Sequence, residues 1–147
     1  MTTVLVVAGP LPALFPGRPR DVGQTPVTDL RSELDGIVDG VAVEFRQTDD
    51  EAQLISWLFE AVDRRWGVVL DPAAFNHYSY ALRDAAALVV EAGLPLIEVH
   101  PTKPGRDDQR QASVVSAVST GLIAGLGLDS YRFAVEAAAT RLVAPRA

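Results

Sequence analysis

Residues 67–100 read GVVLDPAAFNHYSYALRDAAALVVEAGLPLIEVH and contain one complete unit of strand, helix and strand. The apolar runs at 67–71 and 95–100 are short and rich in β-branched residues, which is typical of buried parallel strands. Between them, residues 79–92 repeat apolar side chains at helical spacing. This order predicts a parallel sheet with a helix packed on one of its faces.

The same alternation of strand and helix continues through the rest of the chain. Further strands are predicted at 4–9 and 41–45, and a fifth at the apolar end of the segment 113–127. Further helices are predicted at 28–38, 51–65 and 129–142. The α/β alternation predicts an open, doubly wound, five-stranded parallel sheet with helices on both faces, which makes three layers.

Length and composition favour one ordinary globular domain. The chain has 147 residues, of which 48% are hydrophobic and 22% charged, enough for a single core. Neither an internal repeat nor a long linker divides it, so we expect one domain spanning residues 1–147. Because the first apolar run lacks a basic leader and is too short to cross a membrane, we expect a cytoplasmic protein.

The net charge and the counts of cysteine and histidine indicate which kind of ligand the protein binds. The net charge of −6 argues against binding to nucleic acid or to an anionic membrane, and favours a small-molecule substrate. The chain has no cysteine and two histidines, so thiolate and histidine-rich metal sites are excluded. The glycines in GLIAGLG (121–127) do not have the spacing of a dinucleotide loop. We expect neither a metal nor a cofactor.

Two histidines follow neighbouring predicted strands, at the edge where a doubly wound sheet binds its ligands. His77 lies on the loop after the strand at 67–71, and His100 ends the strand at 95–100. Both are expected to face one crevice, where an imidazole titrates near neutral pH and exchanges protons. We predict a catalytic role for His100 and a binding or orienting role for His77. A surface position is the alternative for each.

Three other residues on this loop and the following helix are candidates. Asp71 ends its strand and is either a general base or an acceptor of backbone hydrogen bonds. Asp84 either favours the positive end of its helix or holds an arginine or a lid in place. Ala73, which lies between Asp71 and His77, is a further candidate for substrate binding.

Two polar loops complete the predicted site. The segment 9–26 holds five of the ten prolines, which excludes a helix and is typical of a lid or binding loop. Its Arg18 either clamps an anionic substrate or is a solvated surface residue. After the strand at 95–100, Arg106 and Arg110 are four residues apart and could grip a carboxylate. Salt bridges to the two aspartates between them are the alternative.

Taken together, these segments resemble the type II 3-dehydroquinate dehydratases. The matching parts are Gly9-Pro10, RQTDDEAQLISWL (46–58), His77 with Ser79 and ALRDA (81–85), PLIEVH (95–100), the Arg106 and Arg110 pair, and TGLIAGLG (120–127) before Tyr131. They cover nearly the whole chain in order.

The resemblance implies a flavodoxin-like fold, a dodecamer built from trimers, and dehydration of 3-dehydroquinate through an enolate without metal or Schiff base. In that family a lid tyrosine, activated by a lid arginine, removes the proton beside the ketone. Carried over, the resemblance makes His100 the general acid and Arg18 the lid arginine. The substrate-binding positions that it implies are His77, Arg110 and Thr102, with Asp84 reaching a neighbouring subunit.

The chain departs from the family at four positions of that site. Leu11 stands in place of a water-holding asparagine, and Val22 aligns with the lid tyrosine. Asp71 replaces an asparagine and Tyr78 a small residue. Since valine cannot abstract a proton, we expect Asp71, Tyr78 or Tyr80 to supply the base.

These departures lead to three hypotheses about function. The first is a diverged lyase of secondary metabolism that dehydrates or enolises a different cyclic hydroxy-ketone. The second is an authentic 3-dehydroquinate dehydratase of the shikimate pathway, and the third is an inactive oligomeric protein that binds small anions. Retention of His77, His100, Arg106 and Arg110 speaks against the third, because a binding module does not require the acid.

Overall fold

The computed structural model describes residues 2–10, 27–102 and 112–143. The strands are β1 (Thr2–Ala8), β2 (Val41–Gln47), β3 (Gly67–Asp71), β4 (Leu96–His100) and β5 (Gly121–Ala124). The helices are α1 (Val27–Leu34), α2 (Glu51–Arg64), α3 (Tyr80–Glu91) and α4 (Asp129–Val143). Two short 3-10 segments, called here the 73–77 turn and the 116–118 turn, follow β3 and precede β5.

The five strands form one parallel sheet in the order β2-β1-β3-β4-β5. This is the flavodoxin-like order, in which the chain winds outward from β1 and β3 in both directions. The predicted doubly wound α/β sheet of five parallel strands is therefore confirmed.

Successive side chains of each strand point to opposite faces of the sheet, and each face packs into a separate hydrophobic core. On one face, strand residues such as Val69 and Val99 pack against α1 and α4, with Tyr131 and Val135 from α4. On the other face, residues such as Leu96 pack against α2 and α3. The sheet thus lies between two helical layers, as the sequence predicted.

The first helix is shorter than predicted. Apolar spacing favoured a helix over 28–38, but α1 ends at Leu34. The chain then turns, with Gly36 and Gly40 at φ angles of +75° and +77°. Glycine tolerates this left-handed region without steric cost, so these residues allow the turn that leads into β2.

The carboxyl ends of β1 and β3 approach each other closely. The Gly9 backbone N–H donates to the Asp71 carbonyl at 2.9 Å. A Cβ on Gly9 would lie 3.0 Å from the Pro72 carbonyl oxygen and 3.2 Å from the Phe75 ring. The absence of a side chain at Gly9 therefore lets the 73–77 turn fold back over the end of β1.

Candidate active site

His100 is held by a carboxylate on its own strand. Glu98 lies two residues earlier in β4, and side chains two apart on a strand share a face. The His100 Nε2 lies 2.5 Å from the Glu98 Oε2. The Glu98 side chain is fully buried, whereas the His100 side chain is 20% exposed. Glu98 therefore orients the imidazole through Nε2, and among the described residues Nδ1 has no hydrogen-bond partner.

Glu98 accepts two more hydrogen bonds from the segment that leads into β5. Ser113 Oγ donates to Oε2 at 2.7 Å, and Ser116 Oγ donates to Oε1 at 2.5 Å. Burial opposes ionisation, but the hydrogen bonds from His100, Ser116 and Ser113 prevail and lower the pKa of the Glu98 carboxyl. Both oxygens of this buried carboxylate are thus satisfied.

The ionised Glu98 favours protonation of its neighbour. Burial by itself would lower the pKa of the His100 imidazole, but the hydrogen bond and the negative charge of Glu98 raise it above the ordinary value. Asp71 contributes a weaker attraction in the same direction. The surroundings of His100 therefore favour its protonated form, which is the form that a general acid requires.

The second histidine is attached to the same segment. His77 ends the 73–77 turn, and its Nδ1 lies 3.5 Å from the Ala112 carbonyl. Nearby, the Val114 N–H donates to the Asn76 carbonyl at 2.7 Å. The segment 112–116 therefore contacts His77 at one end and Glu98 at the other, and the structure brings both predicted histidines to one edge of the sheet.

Asp71, by contrast, lies on the opposite face of the sheet. It alternates with Val69 on the α1/α4 side, whereas Glu98 alternates with Leu96 on the α2/α3 side. The Asp71 Oδ1 accepts from the Ala73 N–H at 3.0 Å, and Oδ2 accepts from the Tyr131 hydroxyl. These contacts fit the second of the two alternatives stated for Asp71, an acceptor of hydrogen bonds at a strand end.

Burial dominates the ionisation of Asp71. The residue is 1% exposed, and desolvation raises the pKa of its carboxyl to about 6, against the lowering effects of Tyr131, His100 and the Ala73 N–H. Tyr131 is fully buried, and burial together with the charge of Asp71 raises the pKa of its phenol well above the ordinary value. Tyr131 therefore remains a hydrogen-bond donor to Asp71.

The other predicted site residues differ in their exposure. Tyr78 follows the 73–77 turn, is 59% exposed, and makes an edge contact with Phe75. Ala73 is partly buried at a φ of +50°, which an alanine rarely adopts. Thr102 is exposed just after β4, and Asp84 is exposed on α3. The predictions for Arg18, Arg106 and Arg110, and for the departures at Leu11 and Val22, fall outside the described residues.

Four residues of this arrangement were not predicted as site residues. They are Glu98, Ser113, Ser116 and Tyr131. For Glu98 a signal was present, because a single carboxylate inside the apolar run PLIEVH, two residues before a histidine, shares a face with it. The serines and Tyr131 carried no such signal, since their contacts join residues 15–60 positions apart.

The described part of the chain has neither a metal-binding cluster nor a membrane-spanning helix. In residues 2–10, 27–102 and 112–143, no group of three or more histidine, cysteine, aspartate or glutamate side chains is arranged to hold a metal ion. Among the helices in those ranges, none has the length and apolar character that crossing a membrane requires.

Comparisons with known proteins agree with this geometry. Residues 2–139 match the family model described as dehydroquinase class II. A protein of Salinispora tropica named 3-dehydroquinate dehydratase is 46% identical over 142 residues, which cover 94% of this chain and 97% of the relative. The 3-dehydroquinate dehydratase 2 of Pseudomonas aeruginosa is 41% identical, with 97% of each chain covered.

Solved structures give the same result for the fold. The type II dehydroquinase of Propionibacterium acnes superposes with a TM-score of 0.84 at 40% identity, covering 95% of this chain and 97% of the other. A 3-dehydroquinate dehydratase-like protein of Bifidobacterium longum gives 0.75 at 39% identity, with 97% and 98% covered. The resemblance found in the sequence is confirmed, and the chain belongs to the class II dehydroquinase family of hydro-lyases.

Proposed function

We propose that this protein is a 3-dehydroquinate dehydratase, which converts 3-dehydroquinate to 3-dehydroshikimate and water. The observation that carries the proposal is the His100–Glu98 pair, which places an imidazole at the carboxyl edge of the sheet beside a carboxylate that favours its protonation. Relatives that are 46% and 41% identical over nearly their full length carry this name. The proposal thus favours the second of the three hypotheses over the first.

In this reaction, the role of His100 is that of general acid. The bond from carbon to the leaving hydroxyl breaks with its electron pair on oxygen, and that oxygen takes a proton to become water. Nε2 is bonded to Glu98, so Nδ1 is the nitrogen that donates the proton. Glu98 stays ionised and stabilises the imidazolium before transfer. General acid catalysis of this kind contributes about 10²–10⁴-fold to the rate.

The proton on the carbon next to the ketone needs a base. Of the three candidates named for this role, all among the described residues, Asp71 is buried and hydrogen-bonded to Tyr131, whereas the Tyr78 and Tyr80 phenols are exposed. Exposure favours the two phenols over Asp71, and Tyr78 is the phenol that directly follows His77 and replaces a small residue of the family. We therefore assign it as the candidate base, with Arg18 as the candidate residue that activates it.

The remaining candidates are proposed to bind the substrate. His77 lies next to Tyr78, and Thr102 lies two residues beyond His100, so both are close in sequence to the groups assigned to chemistry. The other proposed binding residues are Ala73, Asp84, Arg106 and Arg110. The two arginines suit the carboxylate of 3-dehydroquinate, because guanidinium groups bind carboxylates through paired hydrogen bonds.

A second candidate function remains for the same fold, namely a related elimination on another cyclic hydroxy-ketone. The observation that favours it is the pair of departures that flank the 73–77 turn, where Asp71 is bonded to Tyr131 and Tyr78 is exposed. A bulky phenol at that position changes the shape presented to a substrate. Asp71 and Tyr78 would then account for a change in specificity rather than in reaction type.

The test is a direct assay of purified protein with 3-dehydroquinate, followed by the absorbance of the conjugated enone product. We expect turnover, a loss of kcat of about 10²-fold or more in His100→Asn, and a comparable loss in Tyr78→Phe. Thr140→Val is the matched control, since this hydroxyl on α4 bonds only the Glu136 carbonyl among the described contacts. Absence of turnover by the unaltered protein at high enzyme concentration would overturn the proposal and leave the second candidate.

We also propose that the protein acts in the cytoplasm as a homo-oligomer, a dodecamer built from trimers as the family resemblance implies. Support comes from large apolar side chains on its surface, among which Phe59, Leu88, Leu122 and Leu126 are each 46–55% exposed. Light scattering of the purified protein measures the assembly, and a monomer at micromolar concentration would contradict it.

A further inference from the structure

The three donors around Glu98 come from two separate parts of the chain. His100 lies on the same strand, whereas Ser113 and Ser116 lie on the segment before β5. Oε1 receives only the Ser116 hydroxyl among the described residues, and Oε2 is shared by His100 and Ser113. The serines therefore donate hydrogen bonds to the lone pairs of the carboxylate that His100 does not occupy.

We propose that Ser113 and Ser116 are positioning residues for the acid chemistry of His100, because their hydroxyls hold the Glu98 carboxylate ionised and correctly oriented. The proposal rests on the function assigned above to His100, and it extends the site to two residues that need not touch the substrate. Both act only through Glu98.

The backbone fixes the direction in which Ser113 donates. Its Oγ accepts from the Val115 N–H at 3.1 Å and from the Ser116 N–H at 3.3 Å. With its acceptor positions taken by these two amides, the hydroxyl directs its hydrogen toward Glu98. The start of the 116–118 turn thus orients a donor at the carboxylate, and no rotation of the hydroxyl is needed when His100 gains or loses its proton.

Removing these donors changes where the shared proton resides. The hydrogen bonds from Ser116 and Ser113 lower the pKa of the Glu98 carboxyl, so their loss raises it. A larger fraction of the pair then carries its proton on Glu98, which leaves His100 neutral. A neutral imidazole is a far weaker acid for a leaving hydroxyl than an imidazolium, and kcat falls.

Few other charged groups surround this pair in the described part of the chain. From β3, Asp71 faces the opposite side of the sheet and interacts with both Glu98 and His100 through its charge. From α3, the Arg83 guanidinium donates to the Val114 carbonyl at 3.2 Å. From the 73–77 turn, His77 lies against Ala112. None of these donates to Glu98, so the serines are the donors that a mutation can test.

The experiment compares Ser113→Ala and Ser116→Ala with Ser119→Ala. Ser119 is the matched control because its partly buried hydroxyl donates to the Val115 carbonyl at 2.9 Å and not to Glu98. We expect kcat to fall about tenfold in Ser113→Ala and in Ser116→Ala, with KM unchanged, because each loses a hydrogen bond to a charged group. The acid limb of the kcat profile moves to higher pH, while Ser119→Ala retains both values.

A measurement without substrate separates this proposal from the proposed function. The chain has only two histidines, so His100 is assigned by NMR with a His77→Asn variant. We expect the acid inflection of the His100 resonances, which reports protonation of Glu98, to move up by about one pH unit in the two variants. If the protein fails to turn over 3-dehydroquinate but this inflection moves, only the proposed function falls.

The opposite pattern would overturn the inference alone. If 3-dehydroquinate is turned over, but Ser113→Ala and Ser116→Ala match Ser119→Ala in kcat and in the His100 titration, the serines do not position the acid. Should an alanine variant fail to fold, Ser116→Cys and Ser116→Thr carry the test. Cysteine keeps the volume with a weak donor and should behave as alanine was expected to, whereas threonine keeps the hydroxyl and should restore kcat.

Discussion

Two buried carboxylates lie at the carboxyl edge of neighbouring strands, and their surroundings move their ionisation in opposite directions. Glu98 on β4 accepts from a histidine and two serines, and its pKa is lowered. Asp71 on β3 accepts from one hydroxyl and one backbone amide, and burial raises its pKa to about 6. An adjacent cation and a third donor thus decide whether a buried carboxylate favours its charged form.

The two carboxylates should make opposite contributions to stability as pH changes. Glu98 has a lowered pKa in the folded protein, so its stabilisation is present above the pKa of the unfolded chain and is lost as pH falls. Asp71 has a raised pKa, so the folded state favours its protonated form and stability is lost as pH rises from 3.8 through about 6. Substitutions at the two sites should therefore change stability in opposite directions.

Glu98→Gln should give the largest change in the free energy of unfolding. The amide cannot accept from all three donors and removes the anionic partner of His100, so we expect a loss of about 3–5 kcal/mol in the free energy of unfolding. The loss should shrink at acid pH, where the carboxyl of the unaltered protein becomes protonated. Urea denaturation at two pH values measures it, and a loss that grows toward acid pH would contradict the assignment.

Asp71→Asn should raise the free energy of unfolding, whereas Glu98→Gln lowers it. An asparagine can accept from the Ala73 N–H and donate to Tyr131 while avoiding a buried charge. The pKa shift from 3.8 to about 6 corresponds to a gain of about 3 kcal/mol at about pH 7.5 and about 1 kcal/mol at about pH 4.5. Chemical denaturation of both proteins at these pH values tests the prediction. Equal stability of the two at the higher pH would show that Asp71 carries no desolvation penalty.

Tyr131→Phe should remove a hydrogen bond to Asp71 while keeping the aromatic ring in the core. The ring remains packed, but the carboxylate loses one donor, so we expect destabilisation by about 1–3 kcal/mol near neutral pH. The effect should be smaller near pH 4.5, since the lost bond favours the ionised form of Asp71. Thr140→Val, on the same helix, controls for loss of a hydroxyl, and a uniform effect at all pH values would argue against the link to Asp71.

Ala73→Gly should have the smallest effect. Its φ of +50° is costly for an alanine and free for a glycine, but glycine also gains entropy in the unfolded chain. We expect a net stabilisation under about 1 kcal/mol. A clear loss of stability would mean that the methyl group contributes packing worth more than the strain.

The sequence predicted where the two histidines lie because both follow the ends of strands. His100 terminates an apolar run, and His77 follows another, so the rule that parallel strands present their carboxyl ends together placed them at one edge. The position of Glu98 on the same face as His100 follows equally from the alternation of side chains along a strand. The boundaries of α1 were less predictable, since Gly36 ends a helix that apolar spacing alone would extend.

Family membership and the sheet of five parallel strands were determined by the sequence itself, because local periodicity and motif order depend only on neighbouring residues. The tertiary structure decided what the polar groups do. It brings the Tyr131 hydroxyl, 60 residues away, into a hydrogen bond with Asp71, and it brings Ser113 and Ser116 to Glu98. Such contacts depend on which helix packs on which face of the sheet, and no local pattern in the chain encodes the pairing of one donor with one distant acceptor.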